Sequence, residues 1–384
     1  VEYVGGNRLT LLRNGEQYFP ALAAAIDAAT NEIFLESYIY ADDQTGSLVT
    51  DALARAAARG VRVQLLVDGF GARAFPPRWR RTLVDAGARM LVFRPELGGL
   101  LRLRRGRLRR MHRKLAAIDA RTGFVGGINV IDDYDFPGDT TPRYDYAVGI
   151  EGPLAAEVRH AAARLWRQVA WASTGRRPPP VAAAASDFAP GQQRAALVLR
   201  DSLRHRRDIE DAYLQHIEQT RVEIVIACAY FFPGRRFRRA LMAAARRHVR
   251  VRLLLQGQIE YPLLHYASRA LYGSLLDAGI EIHEYLESFL HAKVAVFDRR
   301  VACVGSSNID PFSLLLAREA NVFVDDTAFA MELHRSLEEA MRVGSRQLPP
   351  GEWHRRSLFE RARTWLGYAV ARTLISSFGF ERYH

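Results

Sequence analysis

Lysine is almost absent from this 384-residue chain: of 54 basic residues only Lys114 and Lys293 are not arginine. General basicity therefore does not account for these two ammonium groups. Cysteine is equally scarce. Cys228 and Cys303 stand in no CxxC or zinc-like spacing, which leaves no disulfide framework and no thiolate metal site to expect, and suits a reducing, cytosol-facing compartment. No apolar run approaches the roughly 20 residues that a membrane-spanning helix requires. The opening VEYVGGNRLT has no basic-then-apolar targeting pattern, so any membrane contact is expected from the side. Neither a GxxxxGK loop nor a clear dinucleotide fingerprint occurs, and no nucleotide is expected as cofactor or partner.

What the chain does have is apolar bulk, 49% of its residues, enough to bury the cores of two domains. Its net charge of +12 favours an anionic partner: nucleic acid, an acidic membrane surface or a phosphate-bearing substrate. The two halves also echo each other. EIFLESYIY at 32–40 is answered by EIVIACAYF at 223–231, VRVQLLVDG at 61–69 by VRVRLLLQG at 249–257, and LVDAG at 83–87 by LLDAG at 275–279. Each half alternates β-branched apolar runs with alanine-rich helical stretches (Ala21 to Ala29, Ser47 to Arg59, Phe237 to Arg247), which predicts two α/β lobes. The proline-rich stretch inside 176–195 reads as an exposed connector. The expected division is 1–175, connector 176–195, 196–345, and an amphipathic tail 346–384.

Both lysines occupy the same place in a repeated motif. His112-Arg-Lys114-Leu-Ala-Ala-Ile-Asp119 precedes Gly126-Gly127-Ile-Asn129 by six intervening residues, and His291-Ala-Lys293-Val-Ala-Val-Phe-Asp298 stands in the same relation to Gly305-Ser306-Ser307-Asn308. His to Asn is 17 positions in each copy. Because side chains alternate along a strand, His and Lys two apart share a face. An imidazole, an ammonium and an amide then converge on one anion, and two copies supply a nucleophile and a general acid whose roles can reverse. Asp145 and Glu319 are candidates to orient the imidazoles. Asp119 and Asp298 fit a site role and a strand-ending turn equally well, while Gly126, Gly127 and Gly305 need no ligand to explain them.

At these residues the sequence resembles the phospholipase D superfamily, and within it the bacterial cardiolipin synthases of the type that lacks N-terminal transmembrane helices. FLESYIY, AYFFPG at 229–234, DYAVGIEGP at 145–153 and GSSNIDPFSLLLAREANV at 305–322 carry the likeness, over roughly residues 5–345. It implies two similar lobes, each a mixed β-sheet flanked by helices, related by a pseudo-two-fold axis with the active site at their interface. It also implies metal-independent chemistry without a cofactor, through a phosphohistidine, with His112 as nucleophile and His291 as general acid. Lys114, Lys293, Asn129 and Asn308 would hold phosphate, Asp145 and Glu319 would orient the imidazoles, and Asp119 and Asp298 would organise the site.

The resemblance implies a phosphatidyl transfer between phospholipids by a peripheral protein at the cytoplasmic face of a bacterial inner membrane. The Leu/Arg-rich segment 97–111 and the C-terminal segment 357–380 are the expected membrane contacts. Two other readings compete. A hydrolase or nuclease would use water as acceptor, but the arginines interleave with leucines rather than with the stacking aromatics of a single-strand binder. A degenerate membrane scaffold would not need both motifs intact. Oligomeric state leaves no sign in the sequence.

Overall fold

The runs EIFLES, KLAAI, EIVIAC and KVAVF are nearly free of the polar alternation that marks a half-exposed strand, as expected for strands covered on both faces. In a computed structural model, which describes every residue except 74, 96–108, 135–140, 176–178, 180–187, 202–204, 311–316 and 378–384, all four are wholly buried strands.

The first half runs β1 (Val4–Arg13), α1 (Asn14–Asp27), β2 (Glu32–Ser37), α2 (Gln44–Ala58), β3 (Arg62–Asp68), α3 (Pro77–Asp85), β4 (Arg89–Phe93), β5 (Lys114–Ile118), β6 (Thr122–Gly126), β7 (Tyr146–Glu151) and α4 (Pro153–Thr174). The second repeats it as β8 (Gln193–Arg200), α5 (Asp208–Gln219), β9 (Glu223–Cys228), α6 (Arg235–Arg246), β10 (Arg250–Gln256), α7 (Pro262–Asp277), β11 (Glu281–Tyr285), β12 (Lys293–Phe297), β13 (Val301–Gly305), β14 (Glu319–Asp325) and α8 (Thr327–Gly344). Then come β15 (Ser345–Gln347), α9 (Pro350–His354) and α10 (Leu358–Ser377).

All 15 strands join one mixed sheet, in the order β15-β11-β10-β9-β12-β13-β14-β8-β1-β7-β6-β5-β2-β3-β4. Reading outward from the β8–β1 seam, the two halves present the same strands in the same order, the repeat made visible. The outer trios β2-β3-β4 and β9-β10-β11 are parallel, and the remaining pairs are antiparallel. Leu154, Val158 and Leu165 of α4 and Phe329, Leu333 and Leu337 of α8 share one core on one face of the sheet. On the other face each half has its own core, under α1 and α2 in the first and α5, α6 and α7 in the second.

Two expected boundaries shift. Most of the connector lies outside the described residues, but β8 begins inside it at Gln193, because that side chain accepts the Leu9 N–H (2.5 Å) and extends the pairing with β1. Likewise the first residues of the expected tail belong to the sheet: β15 pairs with β11, Ser345 opposite Tyr285.

Candidate active site

β5 and β12 each start at the motif lysine, so the motif histidines lie on the incoming chain just before a central strand. There the main chain crosses between halves. His112 donates its N–H to Arg318 O and His291 to Tyr144 O, both at 2.9 Å, while Tyr144 and Arg318 donate to Phe289 O and Arg110 O. Each motif is thereby laid beside the segment that carries the other half's acid. The Glu319 carboxylate takes His112 Nδ1 at 3.0 and 3.1 Å, and Asp145 Oδ2 takes His291 Nδ1 at 2.6 Å. With Nδ1 donating to a carboxylate, Nε2 of each ring is the free nitrogen. Both acids expected to orient the imidazoles do meet one, and each serves the histidine of the opposite half.

The acids are themselves held. Asp145 Oδ1 accepts the Tyr146 N–H (2.8 Å), and Ser306 Oγ donates to Glu319 Oε2 (2.5 Å). Gly127, the counterpart of Ser306, has no room for a side chain: a Cβ there would lie 2.3 Å from Asp145 Oδ1. Lys114 Nζ donates to His112 O at 2.7 Å, and Lys293 makes the equivalent bond to His291 O. Asn129 Oδ1 accepts the Ile39 N–H (3.1 Å) and Asn308 Oδ1 the Tyr230 N–H (3.4 Å), which leaves both NH2 groups as donors.

His112, His291, Asn129 and Asn308 line one cavity of about 430 Å³, and both lysines are buried. Burial dominates its electrostatics. It pulls the Lys114 ammonium down to about 7 against the pull of Glu319, with Lys293 adding to the fall, and it lowers Lys293 too. Burial raises Asp145 to about 6 and pushes His291 well below its ordinary value, where Lys293 and Arg143 add to the effect. His112 is lowered as well, by burial, with Glu319 opposing. Burial thus disfavours positive charge in the cavity, and an entering anion would restore it.

Asp119 and Asp298 are not among the cavity's lining residues and sit at the opposite ends of β5 and β12, about 16 Å from the lysines at about 3.3 Å per strand residue. Asp119, with φ 52°, accepts the N–H groups of Thr30, Asn31 and Glu32 at 2.8–2.9 Å. Asp298, with φ 50°, accepts those of Arg221, Val222 and Glu223. They tie the start of β2 and β9 to the motif strands. The expectation that they act in catalysis gives way to the turn reading, because strand length separates them from the histidines.

Several lining residues have no motif to announce them: Arg143, Glu260, Tyr261, Leu263, Leu264 and, from α10, Ala371. Leu263 and Leu264 lie at the start of α7. Away from the cavity, Glu223, His334 and Glu338 form an acid–imidazole cluster, but the Arg252 guanidinium fills it, 2.7 Å from Glu223.

Residues 22–166 and 213–341 match the family described as "Cardiolipin synthase, PLD-like domain". Cardiolipin synthase B of Escherichia coli (strain K12) is 39% identical over 365 residues, 91% of this chain and 85% of that protein. The major cardiolipin synthase ClsA of Bacillus subtilis (strain 168) is 30% identical over 93% of this chain and 73% of its own length. Among solved structures, phosphatidylserine synthase of Haemophilus influenzae Rd KW20 superposes with a TM-score of 0.68 at 15% identity, covering 97% of this chain and 94% of that one. The two-lobed sheet is therefore an architecture already seen in a solved protein. Family match, relatives matched over most of their length and a cavity built from both motif copies agree: the chain belongs to the cardiolipin synthase family of phospholipase D-like proteins.

Proposed function

We propose that this protein transfers a phosphatidyl group from phosphatidylglycerol or a related phospholipid to the hydroxyl of a second phospholipid. The carrying observation is the pair of imidazoles in one cavity, each fixed through Nδ1 by an acid of the other half. His112 Nε2 attacks phosphorus, and His291 protonates the departing headgroup oxygen. The acceptor hydroxyl then gives its proton to His291 as it displaces His112. Lys114, Lys293, Asn129 and Asn308 offset the charge on the phosphoryl oxygens. The cardiolipin synthases to which the chain is similar support this assignment over nuclease activity.

The second phospholipid brings its own chains, so the cavity must open onto a lipid surface. No helix among the described residues is long and apolar enough to cross a membrane. α10 offers another mode. Its Thr364, Gly367 and Ala371 stripe packs inward on α7, while Leu358, Phe359, Trp365, Leu366 and Val370 face out, Leu366 67% and Trp365 59% exposed. An apolar face turned to solvent beside a cavity that α10 helps to line supports peripheral docking there. Cytoplasmic-face association is part of the same proposal. The other expected contact, 97–111, lies largely outside the described residues. The assignment is tested by mass spectrometry of phosphatidylglycerol micelles incubated with wild type and H112A. Cardiolipin from wild type alone supports transfer, whereas phosphatidic acid without cardiolipin would make it a hydrolase.

A further inference from the structure

The two orienting acids are backed differently by their neighbouring strands. β8 ends in Arg200, which pairs directly with Glu319 across the ladder to β14. β1 ends in Arg13, but that residue pairs with Tyr146, one position beyond Asp145. One residue of register turns a strand side chain from one face to the other. Arg13 accordingly lies exposed, whereas Arg200, only 1% exposed, is among the largest fully buried side chains of the protein. Asp145 has Asn14 beside it instead, a neutral amide whose Oδ1 accepts the Asp145 N–H at 3.1 Å.

The Arg200 guanidinium is bound at two corners and not at the third. Nη1 donates to Ala317 O and Nε to Arg206 O (3.4 Å), while Nη2 is buried without a hydrogen-bond partner among the described residues. Ala317 and Glu319 flank Arg318, whose main chain makes the crossing bonds to Arg110 and His112. Burial pulls the guanidinium down to about 10, and Glu319 is the largest charge opposing that fall; Arg206 adds to it, while Asp310 and Asp201 resist it. Holding Ala317 O requires only a neutral donor. Burying a cation is far costlier than burying a neutral group, so the bond to Ala317 does not by itself account for an arginine, and the first charge it meets is the acid of His112.

We propose that Arg200 is a positioning residue for the transfer: its guanidinium, one strand away, fixes the Glu319 carboxylate as acceptor of the His112 Nδ1 proton and thereby makes the two histidines unequal. This rests on the transferase reading above and adds what separates the roles of two otherwise equivalent motifs. A carboxylate fixed as acceptor keeps His112 in the tautomer whose Nε2 is free to attack. The proton given to the leaving oxygen and taken back from the acceptor hydroxyl then passes through His291 alone. The other titratable neighbours of His112 are Lys114 of β5, Lys293 of β12 and Tyr38, whose ring lies 4.9 Å from the imidazole between centroids.

The test compares wild type with R200Q and R200K, both of which keep a donor for Ala317 O while only R200K keeps the charge. Imidazole titrations are followed by NMR of histidine-labelled protein, assigned through H112A and H291A, and kcat and KM are measured with phosphatidylglycerol in mixed micelles. Removing a cation makes a proton on its neighbours easier to hold, so R200Q is expected to move the His112 titration up by about half a pH unit or more and to leave His291 in place. Its kcat should fall about tenfold or more with KM within about twofold, R200K should stay near wild type, and in an E319Q background R200Q should cost less than about twofold. Equal behaviour of R200Q and R200K, full additivity of R200Q with E319Q, or loss of the fold in both variants would reduce Arg200 to a structural clamp and overturn the proposal. A wild type silent on every phospholipid, with the His112 titration still moved in R200Q, would overturn the transferase reading and leave the hold of Arg200 on His112 standing.

Discussion

Lys114, held at about 7 by burial, makes ligand binding a proton-linked event. Below that value the ammonium is already charged. Above it the free protein is largely neutral there, and a bound phosphodiester restores the charge, so binding takes up a proton. Calorimetry with soluble glycerophosphoglycerol in buffers of different ionisation enthalpy should show uptake that grows from pH 7 to 8.5. Buffer-independent enthalpies at pH 8.5 would mean that Lys114 is already charged before the ligand binds. The orienting acids give a second expectation: D145N and E319Q each lower kcat about 10²–10⁴-fold with little change in KM. Asp119 behaves differently. Its carboxylate ties down three main-chain N–H groups from a left-handed turn, so D119A should lose about 1–3 kcal/mol in denaturant unfolding, D119N less, with kcat of the folded protein close to wild type. Sequence reading made the histidines, lysines and asparagines legible because spacing repeated them. Aspartate before a turn looks the same in either role, and Glu260 and Arg143 belong to no repeat.

Element by element, α10 carries the clearest consequence. Its periodicity marks an amphipathic helix, but periodicity is silent on which face the core takes, and the structure turns the small residues inward. A Cβ on Gly367 would meet Tyr266 Cβ at 2.9 Å and Ala267 N at 3.3 Å. G367L should therefore lift α10 from α7, seen as faster limited proteolysis near residue 357, whereas the core of the sheet stays protected. W365E with L366E leaves that packing alone and removes apolar surface worth about 2 kcal/mol per side chain. Binding to anionic vesicles should weaken at least about tenfold, with the circular dichroism unchanged. Equal vesicle binding by this variant would remove α10 from the docking surface.

For the whole molecule, the decisive feature is that each imidazole and its acid come from different halves. Unfolding double-mutant cycles should show coupling of about 0.5–3 kcal/mol for His112 with Glu319 and for His291 with Asp145. The pairs within a half, His112 with Asp145 and His291 with Glu319, should show close to none; the reverse pattern would contradict the crossing. Sequence comparison of the halves exposed two α/β lobes, and the strand order repeats as faithfully as the text. It did not expose the seam. NRLTLLR and QRAALVLR are ordinary half-apolar strands, and nothing in their pattern names the other as partner, because strand pairing depends on what the rest of the sheet leaves unpaired.

That seam has a meaning beyond this chain. Corresponding strands β1 and β8 lie side by side and antiparallel, the relation in which one strand pairs with its own copy about a two-fold axis. A chain with only one such half would carry an open edge there, and an isologous dimer would close it, rebuilding the same sheet and crossing each acid to its neighbour's histidine. Joining both halves in one polypeptide removes the concentration dependence of that pairing. It also frees the copies to diverge, as Gly127 and Ser306, or Asp145 and Glu319, have done.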